Sequence, residues 1–109
     1  MPAGIYARRY LEAVGLWKEL KVVPTENVRA ALLAVESGNV EAAIVYRTDA
    51  VMGKQIKVAF EIPSHPEVMI SYPVAIMKEA RNPTVAESFM AELRSPRGMS
   101  IFQRHGFIV

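Results

Sequence analysis

Cysteine is missing from this chain of 109 residues, and its absence excludes disulfides, thiolate zinc sites and a cysteine nucleophile. It does not fix the compartment, because many exported proteins also lack cysteine. No apolar run reaches the length of a membrane span. Met1 leads at once into Pro2-Ala3-Gly4, without the basic and apolar segments of a secretory signal. The expectation is a chain that either stays in the cytoplasm or belongs to a longer, exported one. Neither sign of charge dominates: 13 basic and 11 acidic residues leave a net +2. The basic residues are scattered (Arg8, Arg9, Lys18, Lys21, Arg94, Arg97, Arg104), so no clustered face for nucleic acid or for a membrane surface is expected.

Enzyme signatures are also absent. There is no G-x-S-x-G, H-E-x-x-H, phosphate-loop or dinucleotide fingerprint. Glu12, Glu36, Glu87 and Glu92 are assigned to solvent faces, which leaves no catalytic carboxylate pair. His65 and His105 are the only histidines, and neither has a second ligand at metal spacing. No catalytic residue, no metal site and no cofactor is therefore expected. His65 is read as part of a proline-bounded loop and His105 as a partner for a helix C-terminus.

What the chain does have is apolar substance, 51% of its residues, enough for the core of one small domain. A domain of this length buries a modest share of its surface, so each element counts. Pro2-Ala3-Gly4 reads as a loop feeding a helix from about Ile5 to Val14, with Tyr6, Tyr10, Ala13 and Trp17 on one face and Gly15 as its stop. A short turn over residues 16–20 follows. A second helix starts near Asn27, with Asn27 or Thr25 as N-cap, and carries Val28, Ala31, Leu32 and Val35 at i, i+3, i+4 and i+7. Residues 48–52 read as one helical turn closed by Gly53. Asn82-Pro83 and Ser95-Pro96 open two further helices. Four segments read as strands: 21–23, the apolar run 42–46, the alternating run 55–62 (Ile56, Val58, Phe60, Ile62 on one side), and 68–77, bent by Pro73.

Helices alternating with strands imply a largely parallel sheet with helices on its faces. The first helix has no strand before it, so the pattern begins in mid-unit. In such sheets ligands gather beyond the carboxyl ends of the strands. Helices that start there offer free N–H groups and the positive end of the helix dipole to an anion. The amides of Ala3 and Val28 occupy such starts, and Tyr46 ends the central strand with a neutral hydroxyl donor. Plainer roles exist for the same neighbourhood. A tyrosine at a strand end is usually a packed amphipathic aromatic. Asn27 is by default a cap, Arg29 is a solvated charge, and Asp49 either caps or packs its turn. Trp17 and the tyrosines of the first helix are assigned to the core.

Three segments carry a family resemblance. Pro2-Ala3-Gly4-Ile5-Tyr6-Ala7, Pro24-Thr25-Glu26-Asn27-Val28-Arg29 and Ala43-Ile44-Val45-Tyr46-Arg47-Thr48-Asp49-Ala50 resemble motifs of the molybdate-binding proteins of ABC transporters. Ser64-His65-Pro66, Tyr72-Pro73-Val74-Ala75 and the tail from Phe102 to Phe107 extend the similarity along the whole chain. The resemblance implies a class II periplasmic-binding-protein fold, a molybdate or tungstate ligand and delivery to a membrane permease. It also implies that the residues matching Ala3 and Val28 bind the oxyanion through backbone N–H groups and that the one matching Tyr46 binds it through its hydroxyl. The family's remaining ligands are serines of an N-terminal lobe that has no counterpart here. Arg47 departs from the small residue usual after the tyrosine, and either points to solvent or alters the mouth of the site.

The expected fold class is therefore α/β, a three-layer αβα lobe missing its first strand and the N-terminal lobe. It forms a single α/β domain over 1–109, with an oxyanion-binding lobe at 1–72 and a C-terminal segment at 73–109 that in the family returns toward the first lobe. The expected function is binding of a tetrahedral oxyanion for ABC-transporter uptake through an incomplete site. The expected location is periplasmic or lipid-anchored outside the cell within an exported parent, or cytoplasmic if the chain is complete. The alternatives are a self-associating fragment without ligand function, such as a homodimer through an exposed sheet edge or flank, and a cytoplasmic oxyanion sensor domain.

Overall fold

The computed structural model describes residues 2–109; Met1, which the expected domain also includes, lies outside the described residues. Five α-helices and one 3-10 turn form in the order α1 (Pro2–Ala13), the 3-10 turn (Trp17–Glu19), α2 (Val28–Glu36), α3 (Arg47–Ala50), α4 (Pro83–Leu93) and α5 (Pro96–Arg104). None of these helices is long and apolar enough to cross a membrane. The chain divides into two compact units, one ending at Ile70 and the other spanning Ser71–Val109.

Helix boundaries follow local chemistry. α1 begins at Pro2, earlier than its apolar stripe suggests, because proline in the first turn already has helical φ and no N–H to satisfy. Gly15 ends it at φ 76°, a left-handed conformation that other residues rarely adopt. Along its exposed side Arg8 bonds Glu12 at 2.9 Å. The Arg8 guanidinium also lies over the Trp17 ring at 4.9 Å, which holds the 3-10 turn against α1. α2 opens on Asn27, extended at φ −158°, whose side chain accepts from the Ala30 amide. Gly38, again at φ 76°, terminates it. α2 packs against α3, and Glu36 Oε1 accepts from the Lys54 amide at 2.9 Å.

The second unit is a helical hairpin. Asn82 caps α4 through the Val85 amide, with Pro83 next in line. Ser95 caps α5 through the Gly98 amide, with Pro96 next. The Ser95 hydroxyl also donates to the Glu92 carbonyl at 2.6 Å, so one side chain closes α4 and opens α5. Phe107 meets Phe102 and Tyr72 edge-on, each at 5.7 Å between ring centres, a geometry that adds to simple apolar burial.

The sheet is where expectation and structure part. The segments 21–23, 42–46, 55–62 and 68–77 carry no ladder among the described residues, and one isolated antiparallel bridge, His65 to Val68, is formed. The sheet layer of a three-layer αβα lobe is therefore absent from the described residues. A strand differs from a helix in that its hydrogen bonds go to a neighbour, so correct side-chain alternation does not by itself make a ladder. The alternating row is left in solvent, with Val58 54% and Phe60 67% exposed. Two separate compact units of these lengths would together expose about 7,000 Å² by surface–mass scaling, whereas the chain exposes 9382 Å². Ala3 is the one apolar side chain classed as buried among the described residues, at 8% exposure. Trp17, Tyr6 and Tyr10, expected in a core, are half-buried.

Candidate functional site

Val28 is the first residue of α2 and half-buried. The first N–H groups of a helix have no carbonyl one turn back to bond. The Asn27 carboxamide satisfies the third of them, on Ala30, at 2.8 Å, and the Asn27 carbonyl takes the Ala31 amide at 3.2 Å. The Val28 amide is used by neither contact, so the cap fixes the helix start without occupying its first donor. Thr25, the other candidate cap, donates its hydroxyl to the Asn27 carbonyl at 3.1 Å instead.

Tyr46 occupies the N-cap position of α3, extended at φ −70° and ψ 150°. Its carbonyl accepts from the Asp49 and Ala50 amides, both at 3.0 Å. The residue is half-buried. Asp49 lies in the first turn of α3, where its charge complements the helix dipole. Arg47 follows Tyr46, and its Nε lies 3.9 Å from Glu61 Oε1 with both side chains largely exposed. Ala3 sits in the first turn of α1 and is buried.

Of the three predicted ligands, Val28 and Tyr46 thus stand at the starts of two helices that pack on each other, while Ala3 belongs to a helix whose packing partner is the 3-10 turn. The remaining singled-out residues have structural roles. His65 Nδ1 accepts from the Glu67 amide at 3.2 Å, and its ring meets Tyr10 edge-on at 5.8 Å. His105 caps α5, with Nδ1 2.9 Å from the Ile101 carbonyl. Arg29 is exposed.

Two participants escaped sequence reasoning. Glu36, assigned to a solvent face, is half-buried and bonds a backbone amide far along the chain. Glu61 pairs with Arg47. Neither pairing has a local signature, since the partners lie well outside the three- and four-residue spacings that a helix face brings together.

A cap that does not engage its helix's first amide, on a helix packed against a second one that opens at a tyrosine, offers donors of the kind that hold an anion. It has no nucleophile–base pair. The comparisons agree with that class. Over residues 1–108 the chain matches the model of the bacterial extracellular solute-binding proteins, and it belongs to that family. It is 40% identical over 111 residues to the molybdate-binding protein ModA of Escherichia coli (strain K12), covering 100% of this chain and 43% of that protein. It is 35% identical to the putative ABC transporter substrate-binding lipoprotein YvgL of Bacillus subtilis (strain 168), over 98% of this chain and 42% of that one. It is 32% identical to the molybdate-binding protein ModA of Haemophilus influenzae, with 98% and 42% covered. The chain therefore spans less than half the length of these relatives. No solved structure matches it significantly. The resemblance carried by the motifs around Ala3, Val28 and Tyr46 is upheld along the whole chain, and membership implies a periplasmic-binding-protein fold.

Proposed function

We propose that this chain supplies one side of an oxyanion site in a solute-binding protein that delivers molybdate or tungstate to an ABC permease. In this reading the Ala3 and Val28 amides and the Tyr46 hydroxyl donate to a tetrahedral dianion. The protein acts as a carrier without catalysis, in the periplasm or lipid-anchored at the cell surface as part of an exported parent. The segments 21–23, 42–46, 55–62 and 68–77 supply the sheet of a three-layer lobe when the rest of the protein covers them. The observation that carries the reading is the cap of α2, which engages Ala30 and not the Val28 amide, on a helix that packs against the one Tyr46 opens. The names of the relatives support the choice of ligand.

Neutral dipoles suit such a carrier because they stay protonated across ordinary pH and release the ligand without breaking a strong ion pair. Each charge-assisted hydrogen bond contributes roughly 1.5–3 kcal/mol. Association costs about 4–15 kcal/mol, so three such bonds leave little surplus and the chain alone binds weakly. Titration calorimetry with molybdate, tungstate and sulfate tests this. Weak heats from at least the first two are expected. No heat from any of them, in a demonstrably folded sample, rejects the reading.

One observation favours a second reading, in which the chain associates with itself. The exposed row of Val58 and Phe60 lies on an extended segment with no ladder, and unpaired extended segments are templates for pairing with another chain. Light scattering coupled to size exclusion should then give a dimer mass at high concentration, and a monomer throughout would discard it.

A further inference from the structure

Arg47 is joined directly to Tyr46, so its backbone lies about 3.8 Å, Cα to Cα, from that of a proposed ligand residue. It carries a full positive charge, whereas the proposed ligand groups are all neutral donors. Its Nε stands 3.9 Å from Glu61 Oε1, and the two side chains are 58% and 67% exposed. That separation brings opposite charges together in solvent. Contacts of this kind are weak and easily exchanged. This permanent cation stands one residue from Tyr46, loosely held by an anion that water and salt can replace.

We propose that Arg47 is a specificity-determining residue of this site, distinguishing doubly from singly charged tetrahedral anions, and that Glu61 sets how much of its charge the ligand feels. The proposal rests on the oxyanion reading given above. Coulomb attraction to a fixed cation is twice as large for a dianion as for a monoanion at the same distance. Arg47 therefore favours molybdate over an ion of the same shape and half the charge. Glu61 opposes this in two ways, by drawing the guanidinium toward itself and by adding a negative charge that repels the ligand. Both effects cross water, so salt weakens them: the screening length falls from about 30 Å at 0.01 M to about 3 Å at 1 M.

The test is an NMR titration of the uniformly labelled 109-residue chain with molybdate and with perchlorate, a tetrahedral monoanion, at low and high sodium chloride. The unmodified protein is compared with R47A, R47K and E61Q, all substitutions at exposed positions. Affinities come from the shifts of the Val28 and Tyr46 amides, and spectral dispersion verifies the fold. At low salt, R47A should weaken molybdate binding by about threefold and perchlorate binding by less, and E61Q should tighten molybdate binding by a similar factor. R47K should stay near the unmodified protein, because it keeps the charge. The differences should close at high salt. Equal affinities and equal salt dependence in the unmodified protein, R47A and E61Q would overturn the proposal while leaving the oxyanion reading intact. So would an R47K that falls as far as R47A, which would show that shape and not charge matters. No response of the folded, unmodified protein to either anion overturns the oxyanion reading and this proposal with it.

Discussion

Each compact unit opens a helix with a side-chain cap, and the two leave different things at the helix start. In the unit ending at Ile70, Asn27 caps α2 through Ala30, and the first helical residue is Val28, which has an N–H. In the unit from Ser71 to Val109, Asn82 and Ser95 cap α4 and α5 in the same way, but the first helical residues are Pro83 and Pro96. Proline at that position costs the helix nothing because its missing N–H would have been unpaired. It also removes the first amide of the helix, the position that Val28 fills in α2. One capped start therefore keeps its first amide and the other two lack theirs, and the difference lies in the residue after the cap.

The sharpest way to break this comparison is Val28→Pro. Asn27 is already extended, the conformation required before proline, so α2 should keep its start and its circular dichroism. Losing one charge-assisted bond worth roughly 1.5–3 kcal/mol should weaken molybdate binding by at least about tenfold, to below detection for a site already weak. The reverse change, Pro83→Val, adds an amide to α4 but should create no molybdate response, because α5, the helix that packs on α4, opens at Ser95 and not at a tyrosine. Unchanged binding in the first variant would show that the N-terminal amide of α2 is not a ligand.

A smaller effect sharpens the contrast within the hairpin. Gly98 is buried in the first turn of α5, and a Cβ there would run into the Glu92 and Leu93 carbonyl oxygens. Alanine in a helix is otherwise favoured over glycine by about 1 kcal/mol, whereas forcing atoms into a packed position costs about 1–3 kcal/mol. Close approach should win. Gly98→Ala is expected to speed amide exchange in α4 and α5 while leaving the amides of α2 unchanged. Slower exchange in α5 would mean that helix propensity outweighs the contact.

These contrasts separate what a sequence discloses from what it withholds. Asn27, Asn82 and Ser95 are readable as caps, and Gly15 as a stop, because each acts on backbone within one turn of itself. Even for α1 the apolar stripe misplaces the start by only a few residues, at a proline. The ladders expected of 42–46 and 55–62 were not readable in the same way. Alternation specifies which side chains share a face, but the hydrogen-bonding partner lies elsewhere in the chain. The site divides along the same line. Val28 and Tyr46 were found through helix-start chemistry and motif resemblance. Glu36 and Glu61 were missed because Lys54 and Arg47, their partners, are distant in sequence.

The bond from the Lys54 amide to Glu36 has a consequence for the phenol. It joins residues 18 apart, and Tyr46 lies near the middle of the span it closes. Bringing the ends of a flexible span together carries an entropic cost that grows slowly with its length, and here one carboxylate at the neck of the loop helps offset it. An acidic side chain near the far end of α2 thus ties off the loop that carries the tyrosine, so replacing that carboxylate with an apolar side chain would slacken the tether without any change at the ring itself.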